Sequence, residues 1–162
     1  MGRPKKKMEK SKAKIKSVCI SEKKGTQKHP VDAIEFKVDH GIVGDAHAGN
    51  WHRQVSLLSV DSVAKVQEHI NFELKPGAFT ENILVESGIT LYELPIGTKL
   101  KVGSAECEVT QIGKECHFDC EIRKKAGDCV MPREGIFVKV LKDGIAKPGD
   151  DIEIISSLFS EI

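Results

Sequence analysis

The sequence predicts a mainly β domain, a barrel or sandwich, with one or two short helices. Three observations lead there. Short apolar, strand-like segments recur along the chain. Turns containing Pro or Gly separate them, and one stretch alone carries a clear helical period. At 162 residues, with 40% hydrophobic and 30% charged side chains, the chain suits a single domain with a real core. Aromatics make up only 5%, so Val, Ile and Leu must fill that core.

The elements follow in order. Residues 1–13 form a flexible basic arm, with almost no apolar content as far as Ser11. The single domain then spans 14–162. Ile15, Val18, Cys19 and Ile20 predict a first strand over 14–21. A polar loop with Gly25 and Pro30 leads to a half-buried strand over 33–38, where Ile34, Phe36 and Val38 alternate with Glu35 and Lys37. Residues 39–53 (DHGIVGDAHAGNWHR) form a Gly-rich loop. A short strand over 54–58 follows. Asp61 suits a helix N-cap, and Val63, Val66 and Ile70 share one face of a helix over 61–70. Lys75, Pro76 and Gly77 make a turn before a strand at 82–86. Strands at 98–102 and 105–112 form a hairpin across Gly103 and Ser104. A short helix is expected near 117–124, then a strand over 135–141, a turn at 147–150 and a closing strand over 152–155. The pattern does not decide between open and closed sheets.

Charge and hydropathy exclude several classes. The net charge is +1, but residues 1–16 hold eight cations against Glu9, so the remainder is acidic at −6. Nucleic acid is not the expected partner; the basic arm reads as a solvated leader. No apolar run reaches the length of a membrane span or a secretory signal, so no membrane association and a cytoplasmic location are expected. An odd count of five cysteines argues against a complete disulfide framework and for metal binding or thiol reactivity.

The richest chemistry lies in GKECHFDCEIRKKAGDCVMPREGIF, residues 113–137. It holds three of the five cysteines, Cys116, Cys120 and Cys129, together with Lys114, His117, Arg123 and Arg133. Thiolate is the reactive form of cysteine, and neighbouring cations favour it. Cys116, beside Lys114 and His117, can take sulfur from a persulfide and pass it to a second thiol, or ligate a soft metal. The alternative is a non-catalytic binding module with structural zinc on Cys116, His117, Cys120 and Cys129. Cys129, next to Val130 and Met131, also fits simple burial, as do Cys19 and Cys107 in their strands.

The Gly-rich loop offers two readings. Asp45, His47 and His52 match no standard metal spacing. Backbone N–H groups at its glycines, with His52 and Arg53, suit a phosphate-bearing ligand. Equally, the loop's His and Asp can hydrogen-bond the loop to itself. Asn82, in GAFTENI, fixes a turn or faces a ligand where Thr80 and Glu81 meet the cysteine segment. There is no nucleophile elbow, P-loop or dinucleotide fingerprint.

The order and spacing of GIVGDAHAGNWHRQVSLLS, PGAFTENILVESGITLYELPIGTKLKVG and IGKECHFDCEIRKKAGDCVMPREGIFVKVLKDG, with the closing KPGDDIEI, resemble a stand-alone bacterial-type MOSC domain, the C-terminal module of molybdenum cofactor sulfurases. The resemblance implies a β-barrel-like core similar to the barrel domain of pyruvate kinase. It implies a molybdenum-cofactor-binding or sulfur-carrier role, with sulfurtransferase-like or cofactor-dependent activity. Cys116 matches the family's characteristic cysteine, as persulfide carrier or molybdenum ligand, with His117 and Lys114 assisting. Lys114 and Glu115 precede it, where relatives often have arginine or proline. Asp45, His47, His52, Arg53, Asn82 and Arg133 are the implied cofactor-binding residues. The implied partners are a cysteine desulfurase or a molybdoenzyme. Fused sulfurases carry a pyridoxal-phosphate domain; this chain has none and is not expected to bind that cofactor alone.

Overall fold

The computed structural model describes residues 11–24, 26–113 and 134–156. The basic arm up to residue 10 and the expected helix at 117–124 lie outside them. Among the described residues, eleven strands, one α-helix and a 3-10 turn follow in the order β1 (Lys12–Ile20), β2 (His29–Val31), β3 (Ile34–Lys37), β4 (Gly41–Ile42), β5 (Val55–Ser59), α1 (Val60–Gln67), β6 (Ile83–Val85), the 3-10 turn (Leu91–Glu93), β7 (Lys99–Val102), β8 (Ala105–Ile112), β9 (Ile136–Lys142), β10 (Gly144–Ala146) and β11 (Asp151–Ser156).

The sheet closes on itself. Its order is β11-β7-β8-β9-β5-β6-β1, and β1 pairs back onto β11 through Lys12↔Glu153, Ala13↔Ile152 and Lys14↔Asp151. The result is a seven-stranded barrel, with β2 added at the far end of β1. β1 serves three partners because a bulge lies between Ile15 and Ser17 in its pairing with β6. Ala13 and Ile15 face the core before the bulge and Val18 after it, the change of phase that one extra residue imposes. β7 and β8 form the expected hairpin, with Gly103 at φ 58 in its two-residue turn.

All pairings are antiparallel except β5–β6, where Leu57↔Ile83, Leu58↔Leu84 and Ser59↔Val85 run parallel. A parallel neighbour needs a crossover, and α1 begins it immediately after β5. Every residue of β5 is buried because both its faces are covered. Val55 and Leu57 join Ile15, Ile83, Leu100, Val109, Ile136, Val138 and Ile152 inside the barrel. Leu58 faces out and packs with Val66, Phe79 and Phe137 in a second apolar layer under α1. The helix N-cap is Ser59, two residues before the expected Asp61; its hydroxyl accepts the Asp61 N–H at 3.1 Å. Asp61 sits in the first turn, where its carboxylate accepts from Ser87.

A three-stranded sheet, β10-β3-β4, adds Ile34, Phe36, Ile42 and Ala146 to the barrel core. It sets the start of the 44–53 loop. At the other side of that loop, Lys28 N–H donates to Gly77 O at 3.0 Å. The approach is so close that a Cβ on Gly77 would lie 2.0 Å from Lys28 O, at a φ of +88.

Gly77→Ala is therefore expected to lower stability by about 3 kcal/mol, whereas Gly97→Ala, at a similar φ but facing open space, costs about 1 kcal/mol. Denaturant titration separates the two. Cys19 and Cys107 are fully buried, and burial pushes both thiols up to about 12. At about pH 8 roughly one in ten thousand of either is thiolate. Neither is expected to react with a disulfide reagent in the native protein, and both react after denaturation.

Candidate functional site

A cleft of about 200 Å³ opens on the outer wall of the barrel, between the 44–53 loop and the 77–82 turn. Lys24, His47, Trp51, Arg53, Ser56, Thr80, Asn82 and Phe137 line it. Ser56 and Phe137 are cross-strand partners on β5 and β9. Their neighbours Val55, Leu57, Ile136 and Val138 point into the barrel, so alternation sends these two outward.

Arg53 dominates the wall. Its guanidinium lies 4.7 Å from the Trp51 ring centroid and 5.8 Å from that of Phe137, in cation–π contact with both. Its Nε is buried and has no hydrogen-bond partner among the described residues. Lys24 Nζ lies 6.0 Å from the other cation's platform, the Trp51 ring. Trp51 is held by its indole N–H, which donates to His47 O at 2.9 Å. Among the described residues no carboxylate lines the cleft.

Beneath the floor is a buried ion pair. Lys28 and Asp45 side chains are fully enclosed, with Nζ to Oδ1 at 2.7 Å. Lys28 also donates to Ser21 Oγ at 3.2 Å and to His47 Nδ1 at 3.0 Å. Asp45 additionally accepts the backbone N–H groups of Ser21 and His47. The Asp45 charge is thus compensated by Lys28, and among the described residues Lys24 and Arg53 are the charged groups that line the cleft.

The turn before β6 is strained and internally bonded. Thr80, a β-branched residue, stands at φ 63. The Glu81 carboxylate accepts from Gly77 and Phe79 N–H groups at 2.7 and 3.1 Å. Burial holds the Glu81 carboxyl above its usual range, opposed by those backbone donors and by Lys28. The Asn82 carboxamide accepts from Ser56 N–H at 3.0 Å and donates to Cys19 O at 3.0 Å. It ties β1, β5 and β6 together where the parallel pair begins.

Of the residues expected at a cofactor site, His47, Arg53 and Asn82 converge on the cleft. Asp45 lies under it, within the buried pair. His52 faces away: its Nε2 meets Gln111 Oε1 at 2.9 Å, and Gln111 Nε2 donates to Gly113 O at 2.7 Å. Lys114, Cys116, His117, Arg133 and the other cysteines of the 113–133 segment lie outside the described residues, as does the zinc set. The segment's ends are described. Gly113 N–H donates to Gly135 O at 2.6 Å, and Glu134 accepts from Ser62 and Lys65 of α1. Among the described residues no group of three or more His, Cys, Asp or Glu side chains can hold a metal ion. No helix among them is long and apolar enough to cross a membrane.

Sequence reasoning missed Lys24, Lys28, Trp51 and Phe137. Trp51 had a signal, being the only tryptophan and sitting in a polar, Gly-rich loop.

The fold has clear relatives. The YUAD protein from Bacillus subtilis aligns at TM-score 0.72 with 19% identity, over 88% of this chain and 94% of that one. YiiM from Geobacillus stearothermophilus aligns at 0.66 with 18% identity, over 89% and 75%. YiiM from Escherichia coli aligns at 0.63 with 17% identity, over 91% and 71%. Comparison with functionally curated proteins yields no match. The family model for the MOSC domain matches residues 44–153, which begin at the cleft loop and run through the barrel into its closing strand. With that match over most of its length and the barrel to go with it, the chain belongs to the MOSC domain family, a family linked to molybdenum-cofactor-sulfurase chemistry.

Proposed function

We propose that the cleft holds the phosphate end of a molybdopterin-type cofactor and that Cys116 is the sulfur-handling or metal-ligating residue of the same site. One observation carries the reading: Arg53 is stacked on two aromatic rings beside the cleft, with a buried N–H that no described residue accepts. A buried donor without a partner is costly, and an anionic oxygen relieves it. Lys24 adds a second cation, and the Trp51 and Phe137 rings exclude water from the guanidinium. The residues therefore fit an anionic group attached to a flat ring system. Such a cofactor, when bound, supplies molybdenum redox and metal–sulfur chemistry.

Cys116 has the sequence neighbours for a stabilised thiolate, Lys114 and His117. In sulfur transfer its thiolate attacks the outer sulfur of a donor persulfide. A new S–S bond forms on Cys116, the donor's S–S bond breaks, and the donor leaves as a thiolate. A cysteine desulfurase is the matching donor and a molybdoenzyme the matching recipient. The setting is the cytoplasm, where the thiols stay reduced.

Two measurements test this. Arg53→Ala is expected to weaken binding of pyrophosphate, a probe for the phosphate end, by about tenfold to a hundredfold, the worth of a charge-assisted hydrogen bond. Unchanged affinity overturns the phosphate assignment. Cys116→Ser is expected to abolish the mass increment of one sulfur atom after incubation with a persulfide donor, with the far-ultraviolet spectrum unchanged. Equal loading of both proteins overturns the role of Cys116.

A further inference from the structure

Val109 and Ile112 of β8 both pack against the barrel core, although they stand three positions apart. Strict alternation would put them on opposite faces. The phase changes because β8 carries a bulge. Val109 pairs with Val138 and Gln111 with Phe137, so Thr110 is an extra residue without a partner of its own on β9. Gln111 is thereby turned to the outer side of the wall, where its partner Phe137 lines the cleft. Both bulge side chains then bond to His52, the residue before Arg53. The Thr110 hydroxyl donates to His52 O, with Phe137 O at 3.1 Å as a second acceptor. The Gln111 carboxamide is oriented by its other contact. Gly113 O can only accept, so Gln111 Nε2 donates there at 2.7 Å, and Oε1 meets His52 Nε2 at 2.9 Å. An amide oxygen also only accepts, so His52 Nε2 carries the proton, whether or not the ring is charged. One side chain therefore joins the loop that carries Trp51 and Arg53 to Gly113, where the thiol-bearing segment leaves the barrel.

We propose that Gln111 is a positioning residue that couples the two halves of the site: an anion held at Arg53 is felt at Gly113 through His52 and the Gln111 carboxamide. The proposal rests on the anion-binding reading of the cleft. Arg53 follows His52 directly in the chain, so an adjustment of Arg53 to a bound oxygen moves the residue that Thr110 and Gln111 hold. The coupling is reciprocal, so the state of the Gly113 end also alters affinity for the anion. The bulge has its reason here. It takes Thr110 out of the ladder, and in exchange it aims two side chains at the loop; bulges gather where a side chain must be re-aimed beside a site. A second route runs through β9, since Phe137 lines the cleft and Gly135 O accepts the Gly113 N–H at 2.6 Å. Variants at Gln111 tell the two routes apart.

The test uses the full chain with 15N-labelled glycine and pyrophosphate as the probe. Saturating pyrophosphate is expected to shift the Gly113 amide resonance of the wild type and to leave Gly103, at the opposite end of β8, in place. Gln111→Ala is expected to silence the Gly113 response and to weaken pyrophosphate binding by about threefold to tenfold, the worth of one hydrogen bond. A merely structural Gln111 would lower stability without silencing Gly113. His52→Ala cuts the same chain at its other end and is expected to give both results. The double variant then binds no more weakly than either single one, because the pair acts as a unit. His52→Gln, which keeps a side-chain N–H for Gln111 Oε1, is expected to restore the Gly113 response. A wild-type Gly113 resonance indifferent to bound pyrophosphate overturns the coupling and leaves the anion reading standing. A response that survives in both Ala variants assigns the route to β9 and overturns the role of Gln111, as do additive losses in the double variant. If the wild type binds no pyrophosphate, the anion reading falls and the coupling falls with it. Should Gln111→Ala not fold, His52→Ala, at an exposed side chain, carries the same decision.

Discussion

The Lys28 ammonium is the constraint on which the cleft depends. Taking a charge out of water is expensive, and the cost is offset only where every proton finds an acceptor. Lys28 meets that condition with groups from separate segments: Ser21 at the end of β1 and Asp45 and His47 from the loop after β4. Its own backbone docks against Gly77 in the turn before β6. Much of the cleft is lined by loops, and loops need such anchors to hold a fixed shape. Without the ammonium, the buried Asp45 carboxylate would keep only the backbone N–H groups of Ser21 and His47 and would lose its compensating charge.

The cleft lies outside the barrel for a packing reason. Seven strands enclose an interior packed mainly with Ile, Val and Leu side chains. The strand residues that line the cleft come from the outward positions. Ser56 and Phe137 hold such positions on β5 and β9, one end of the wall being covered by α1 and the other left to the cleft. Asn82 sits where the parallel pair starts and spends its carboxamide on β1 and β5. It shapes the floor through backbone bonds. The left-handed Thr80 beside it is strain held in place by Glu81 and Ser56, and strain of this kind gathers where backbone must present itself to a ligand.

The site has several sources in the chain. Trp51 and Arg53 come from the loop before β5, Lys24 from the loop after β1 and Phe137 from β9, while the thiol proposed to react belongs to the segment between β8 and β9. That segment departs at Gly113 and returns at Glu134, points joined by the Gly113–Gly135 hydrogen bond and tied to α1 through Glu134. Phe137, in the cleft wall, stands two residues past that junction.

Much of this was legible in the sequence. Period-two alternation marked β3, since a half-buried strand must alternate, and short apolar runs bounded by turn residues marked β1, β7, β8 and β9. Gly103 and Ser104 marked the hairpin, since only such residues turn a two-residue loop. The Gly-rich loop and Asn82 were read as site elements, and His47, Arg53 and Asn82 do line one cleft. Short β2, β4 and β10 escaped because two or three residues carry no period. Barrel closure, the bulge in β1 and the parallel β5–β6 pair were decided by tertiary structure alone, because they depend on which strand edges meet. The same holds for Phe137, which reads as core in its strand but faces the cleft, and for Lys28, which reads as a solvated lysine. Local sequence determines whether a residue can sit in a strand or a turn. Whether a charge is buried depends on partners brought to it from elsewhere in the chain, and those only the folded structure supplies.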